Sequence, residues 1–104
     1  ANPFFFSGSA ATGIGSPHTP APYIWPLGLA MQGLTASDPA ERTALLAVLE
    51  RTDAGTFLMH EGFHADDPAQ FTRSWFAWAN ALFSELVLVE CGLLAPGGVR
   101  LSAW

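Results

Sequence analysis

Ser74–Glu90, SWFAWANALFSELVLVE, is the stretch that decides the fold class of this chain. Trp75, Trp78, Ala79, Leu82, Leu86 and Val89 recur at three- and four-residue intervals, the spacing of one helix stripe. Phe76, Phe83 and Val87 cover a second side, so the pattern predicts a helix that is apolar nearly all round and therefore buried, with Trp78 in the core. Gly92 supplies its stop, and Cys91 beside it reads as a core thiol.

Two more helices lie upstream. One is predicted from about Trp25: Pro26 suits a first helical position, and Leu27, Leu29, Ala30, Met31 and Leu34 follow with little polarity, as in a buried helix. The other opens at Asp38-Pro39-Ala40-Glu41, an acid at the N-cap, Pro at N1 and Glu at N3. Leu45, Val48 and Leu49 form its apolar stripe, Glu41, Arg42, Glu50 and Arg51 its wet face, and Gly55 its end, so this helix is one-sided. Residues 1–23 read as irregular, being broken by Gly8, Gly13, Gly15, Pro17, Pro20 and Pro22. Residues 56–72 read mostly as loop, and Pro96-Gly97-Gly98 as a turn. The expectation is an all-α architecture of about three helices with long loops. Alternating buried and one-sided helices suit the inner and outer rings of an α/α toroid, which needs many more helices than three, so the ring is expected to continue upstream of Ala1.

Composition narrows the function. The chain has 104 residues, with four Trp and eight Phe, more aromatic surface than so short a chain readily hides. Four Arg, no Lys and nine acidic residues leave a net charge of −5. That lacks the basic footprint of a nucleic-acid binder and disfavours an anionic membrane surface. No run is long and apolar enough to span a bilayer. A single Cys excludes a disulfide framework within the chain and leaves the compartment open. Neutral or polar small ligands remain.

Three stretches concentrate chemistry-bearing residues: Gly15-Ser16-Pro17-His18-Thr19 leading to Trp25-Pro26, Met59-His60-Glu61-Gly62-Phe63-His64 with Asp66-Asp67-Pro68, and Phe71-Thr72-Arg73-Ser74-Trp75 running into the third helix. Read from its residues alone, Glu61 fits an ion pair with Arg73 better than a catalytic role. His60-Glu61-Gly62-Phe63-His64 also matches the zinc motif H-E-x-x-H, with Glu85 available as a further ligand. That motif needs both His on one helix face, which Gly62 weakens.

Four ordered blocks, GIGSPHTPAPYIWP (residues 13–26), MQGLTA, MHEGFHADDP and FTRSWFAWANALFSEL, resemble glycoside hydrolase family 125, over nearly the whole chain from Asn2 to about Leu86. The resemblance implies an exo-acting, metal-independent α-1,6-mannosidase on an (α/α)6 barrel, of which residues 1–104 would be a carboxyl-terminal fragment of the single catalytic domain. It implies an inverting mechanism, with two carboxyl groups set apart around a water. The match of MHEGFH to the family's His-Glu-Ser-Phe-type block makes Glu61 the general base. No residue here corresponds to the family's Asp acid, so the isolated chain is expected to be inactive and to need the amino-terminal part of the same barrel. His18 and Trp25, then His60, His64, Arg73 and Trp75, are the candidate contacts to a mannose-containing oligosaccharide or N-glycan. No cofactor or metal is implied. The rival readings are a zinc hydrolase and a non-catalytic helical interaction domain.

Overall fold

The computed structural model describes residues 2–95 and the strand Val99–Arg100; the turn expected at Pro96-Gly97-Gly98 lies outside the described residues. The chain is mixed α/β, which corrects the all-α expectation. In order, the elements are β1 (Phe5–Ser7), β2 (Thr12–Ile14), β3 (Tyr23–Ile24), α1 (Pro26–Thr35), α2 (Pro39–Arg51), β4 (Gly62–His64), β5 (Phe71–Thr72), α3 (Ala77–Glu90), β6 (Leu94–Ala95) and β7 (Val99–Arg100). The strands form three small sheets, β1-β2, β3-β4-β5 and β6-β7, with antiparallel pairing throughout. The segments read as irregular are where the first two of these sheets lie. Their backbone groups needed partners and found them in each other, in strands of two or three residues that are too short to display an alternating pattern.

The three helices lie where local signals put them. Asp38 accepts a hydrogen bond from the Ala40 N–H at 2.9 Å and caps α2, with Pro39 in the first turn. Glu41 does not close a capping box; it accepts from the Gln32 amide instead. The helix ends at Arg51, short of Gly55. At the end of α3, Gly92 has φ +76. Its N–H donates to the Val89 carbonyl at 3.0 Å, and the Leu93 N–H donates to Leu88 at 2.9 Å. This pair of bonds is the Schellman closure, and it needs the left-handed conformation that Gly adopts without strain.

The core joins the helices to the central sheet. Ile24, Leu29, Leu49, Phe63 and Leu86 are each at most 1 % exposed. α2 is one-sided as expected, burying Leu45, Leu46 and Leu49. α3 is not buried all round. It buries only Ala79, Leu86 and Val89, while Trp78 is 69 % exposed and Leu88 39 %. One face of α3 meets α1 and α2, and nothing among the described residues covers the other. Trp78 is therefore a surface residue, not a core one, and Cys91 is likewise exposed rather than a core thiol.

α2 and α3 are tied by Glu90, which accepts from Arg42 Nε at 3.0 Å and from the Thr43 hydroxyl at 2.6 Å. The Thr43 hydroxyl first, and Arg42 second, hold the Glu90 carboxyl below its ordinary value of 4.5. A carboxyl with a lowered folded pKa contributes stability that is present above its unfolded value and lost as pH falls through the folded one. Glu90→Gln should therefore flatten the loss of stability on the acid side, as pH falls below the ordinary carboxyl value of 4.5. Thermal unfolding of both proteins across that range checks it, and parallel profiles would remove Glu90 from the acid response.

Candidate active site

The site is built across the β3-β4-β5 sheet. Tyr23 pairs with His64 and Ile24 with Phe63, while Gly62 pairs with Thr72 and Phe63 with Phe71. Residues some forty positions apart are thereby brought into one row. Trp25 follows Ile24 directly at the end of β3, where its N–H donates to the Ile14 carbonyl at 2.9 Å.

Gly62 is where the 15–19 loop seats. A Cβ there would lie 3.3 Å from the Thr19 methyl, 3.4 Å from the Thr72 hydroxyl and 3.6 Å from the Ile24 carbonyl. The missing side chain lets that loop lie against β4. Ser16 and Thr19 are buried in it. The Ser16 hydroxyl accepts from the His18 N–H at 3.0 Å, and the Trp25 indole N–H donates to the Thr19 hydroxyl at 3.3 Å. The loop thus holds Trp25, half-buried, and carries His18 on the surface, one residue from the Thr19 that packs over Gly62.

Glu61, immediately before Gly62, is anchored on both sides. Its own N–H donates to the Thr72 carbonyl at 3.1 Å. Two residues earlier, Met59 is gripped by the Asn80 side chain of α3. The Asn80 amide oxygen accepts from the Met59 N–H and its NH2 donates to the Met59 carbonyl, both at 3.0 Å. Glu61 Oε1 lies 3.5 Å from Arg73 Nε, with the Glu61 side chain 17 % exposed and Arg73 68 %. The ion pair read from the sequence is thus present, and its geometry leaves most of the guanidinium donors free. Arg73 has φ +48, a left-handed conformation uncommon for a residue with a Cβ and the kind of local strain that gathers at functional sites.

Arg73 also begins a cleft of about 480 Å³ lined by Trp75, Phe76, Ala77 and Trp78. Trp75 is 57 % exposed, so this cleft presents two open indoles next to the Glu61–Arg73 pair. His64 stands edge-on to the Tyr23 ring at 5.6 Å. Its Nδ1 accepts from the Asp66 N–H at 3.0 Å, which leaves Nε2 as the nitrogen available to donate outward. Glu61, His18, Trp25, His64, Arg73 and Trp75 are therefore gathered about one sheet and its flanking loops.

His60 is the exception and needs correcting as a sugar contact. It is 1 % exposed, with Nδ1 3.0 Å from the Ser74 carbonyl and Nε2 3.1 Å from the Asp53 carbonyl. No edge of the ring remains for a ligand. The same geometry breaks the zinc reading. Residues 60–64 run as loop and strand rather than helix, so His60 and His64 share no helix face. Among the described residues, no group of three His, Cys, Asp or Glu side chains is placed to hold an ion.

Sequence reasoning missed Thr19, Gly62 and Thr72 as the seat of the loop, and Asn80 as the clamp on Met59. Asn80 did carry a signal, since an amide within an otherwise apolar helix needs partners. The Thr72 hydroxyl is buried and has no partner among the described residues, beside Thr19 and Gly62.

Residues 1–88 match the family described as metal-independent alpha-mannosidase (GH125). The meiotically up-regulated gene 157 protein of Schizosaccharomyces pombe is 45 % identical over 87 residues, 84 % of this chain and 17 % of that protein. A metal-independent alpha mannosidase of Streptococcus pneumoniae, solved in a non-productive complex with α-1,6-mannobiose, superposes with a TM-score of 0.86 at 51 % identity. That match covers 88 % of this chain and 22 % of the pneumococcal one. The chain spans about a fifth of the length of these relatives, and it belongs to the metal-independent alpha-mannosidase family.

Proposed function

We propose that the protein carrying this chain hydrolyses terminal α-1,6-linked mannose with inversion, and that Glu61 is its general base. The observation that carries the reading is a part-buried Glu61 carboxylate 3.5 Å from Arg73 Nε, where Arg73 also lines an open cleft with Trp75; His18, Trp25 and His64 lie on the same sheet and its loops. The mixture suits a sugar, with indole faces for the apolar side of a pyranose ring and imidazole and guanidinium donors for its hydroxyls. The pneumococcal relative's complex with α-1,6-mannobiose supports this choice of substrate, in a mannose-containing oligosaccharide or N-glycan.

In this mechanism Glu61 takes a proton from water as the water oxygen bonds to the anomeric carbon. The glycosidic C–O bond breaks, and its electron pair and a proton from a separate acid go to the leaving oxygen. That acid is supplied by a portion of the enzyme upstream of this chain. The exposed Trp78 and Phe57, the latter 90 % exposed, suit contact with that portion. No metal takes part in the step.

The anomer released first tests the stereochemistry. In NMR spectra taken before mutarotation, the full-length protein should release β-mannose from α-1,6-mannobiose, and the isolated chain should release none. Release of α-mannose first would mean retention, and would take the water-activating role from Glu61.

A further inference from the structure

We propose that His60 is a positioning residue for Glu61, a crossbar that holds the catalytic loop and the Arg73 segment at one spacing. The proposal rests on the reading of Glu61 as general base. His60 is buried to 1 % exposure yet polar, directly precedes Glu61, and has both ring nitrogens aimed at backbone. Its two partners belong to different connectors. The Asp53 carbonyl, 3.1 Å from Nε2, lies in the turn after α2. The Ser74 carbonyl, 3.0 Å from Nδ1, lies between β5 and α3 and directly follows Arg73.

The ring is itself fixed in plane. It stacks on Phe71 with centroids 3.9 Å apart and planes 6° from parallel. A carbonyl oxygen only accepts, so each contact is a hydrogen bond when the nitrogen facing it carries a proton. The surrounding backbone places this tie between two others, Met59 to Asn80 on one side and Glu61 to Thr72 on the other. His60 therefore supplies the side-chain link across the middle residue of a three-residue run whose ends are already anchored.

Arg73 shows what the crossbar has to resist. Its left-handed backbone, φ +48, persists only where neighbouring contacts hold it, and the next residue is the one whose carbonyl His60 meets. Without the ring, Ser74 and Arg73 are released together and the Glu61–Arg73 pair loses its fixed distance. A displacement on the order of 1 Å at a reacting group costs on the order of a hundredfold in rate.

The experiment is a double-mutant cycle in the full-length protein with α-1,6-mannobiose, using His60→Phe, which keeps an aromatic ring to stack on Phe71 and removes both ring nitrogens. His60→Phe should lower kcat about a hundredfold and leave KM within about twofold. His60→Gln, which retains a donor, should recover part of the loss, and it carries the test alone should circular dichroism show His60→Phe unfolded. In a Glu61→Gln background, His60→Phe should cost less than about twofold more, because its effect runs through Glu61. An equal loss of kcat in both backgrounds would overturn the proposal in favour of a structural role, and a raised KM at constant kcat would make His60 a ligand contact. Should Glu61→Gln itself retain wild-type turnover, the base assignment falls and the crossbar role with it. Should Glu61→Gln lose turnover while His60→Phe and His60→Gln do not, only the crossbar falls.

Discussion

Glu61→Gln in the full-length protein should lower kcat on α-1,6-mannobiose by about 10²–10⁴-fold, the range that a general base contributes. At about 1.36 kcal/mol per decade, that is roughly 3–5 kcal/mol of transition-state stabilisation. The substitution is nearly isosteric. It removes the charge facing Arg73 Nε at 3.5 Å and leaves the backbone anchor from the Glu61 N–H to Thr72, so the fold should hold and KM should change little. Steady-state kinetics on both proteins decide the matter. Turnover within a factor of about three of wild type would take Glu61 out of the mechanism, since loss of an essential proton acceptor cannot be that mild. A raised KM at unchanged kcat would recast it as a binding group.

Phe63→Ala should destabilise the fold by about 3–5 kcal/mol, the usual cost of emptying a buried aromatic site. Phe63 is 0 % exposed and is the central residue of the row Ile24–Phe63–Phe71 across the three-stranded sheet. Its loss leaves a cavity between that sheet and the helices. Against a typical domain stability of about 5–15 kcal/mol, this is a large fraction. It also acts at the site, because Gly62 and Glu61 are the next two residues on the strand and its approach. Urea unfolding should show a midpoint moved well down, and a shift equivalent to less than about 1 kcal/mol would mean that the sheet does not depend on this side chain.

The parts of this protein legible in its sequence are those decided by residues a few positions apart. Trp25-Pro26 marks the start of α1, Asp38-Pro39 that of α2 and Gly92 the end of α3, because capping and the left-handed stop are local interactions. The blocks holding His18, Trp25, Glu61, Arg73 and Trp75 could also be picked out, and four ordered blocks pointed to one family. The strands could not be read. Each is two or three residues long, and its partner is chosen by pairings such as Tyr23 with His64, which no local periodicity encodes. The expectation that α3 would be buried all round failed for a related reason: its pattern shows that Trp78 is apolar but not whether anything covers it, and nothing among the described residues does. His60 reads in sequence as a ligand for a sugar or a metal, and only its environment makes it a buried tie between the Asp53 and Ser74 carbonyls. Sequence by itself determined the positions of the helices and the family, since short-range physics and motif order suffice for those. Tertiary structure alone decided which polar groups face solvent and which face backbone, because burial and hydrogen-bond partners are set by segments that meet only once the chain has folded.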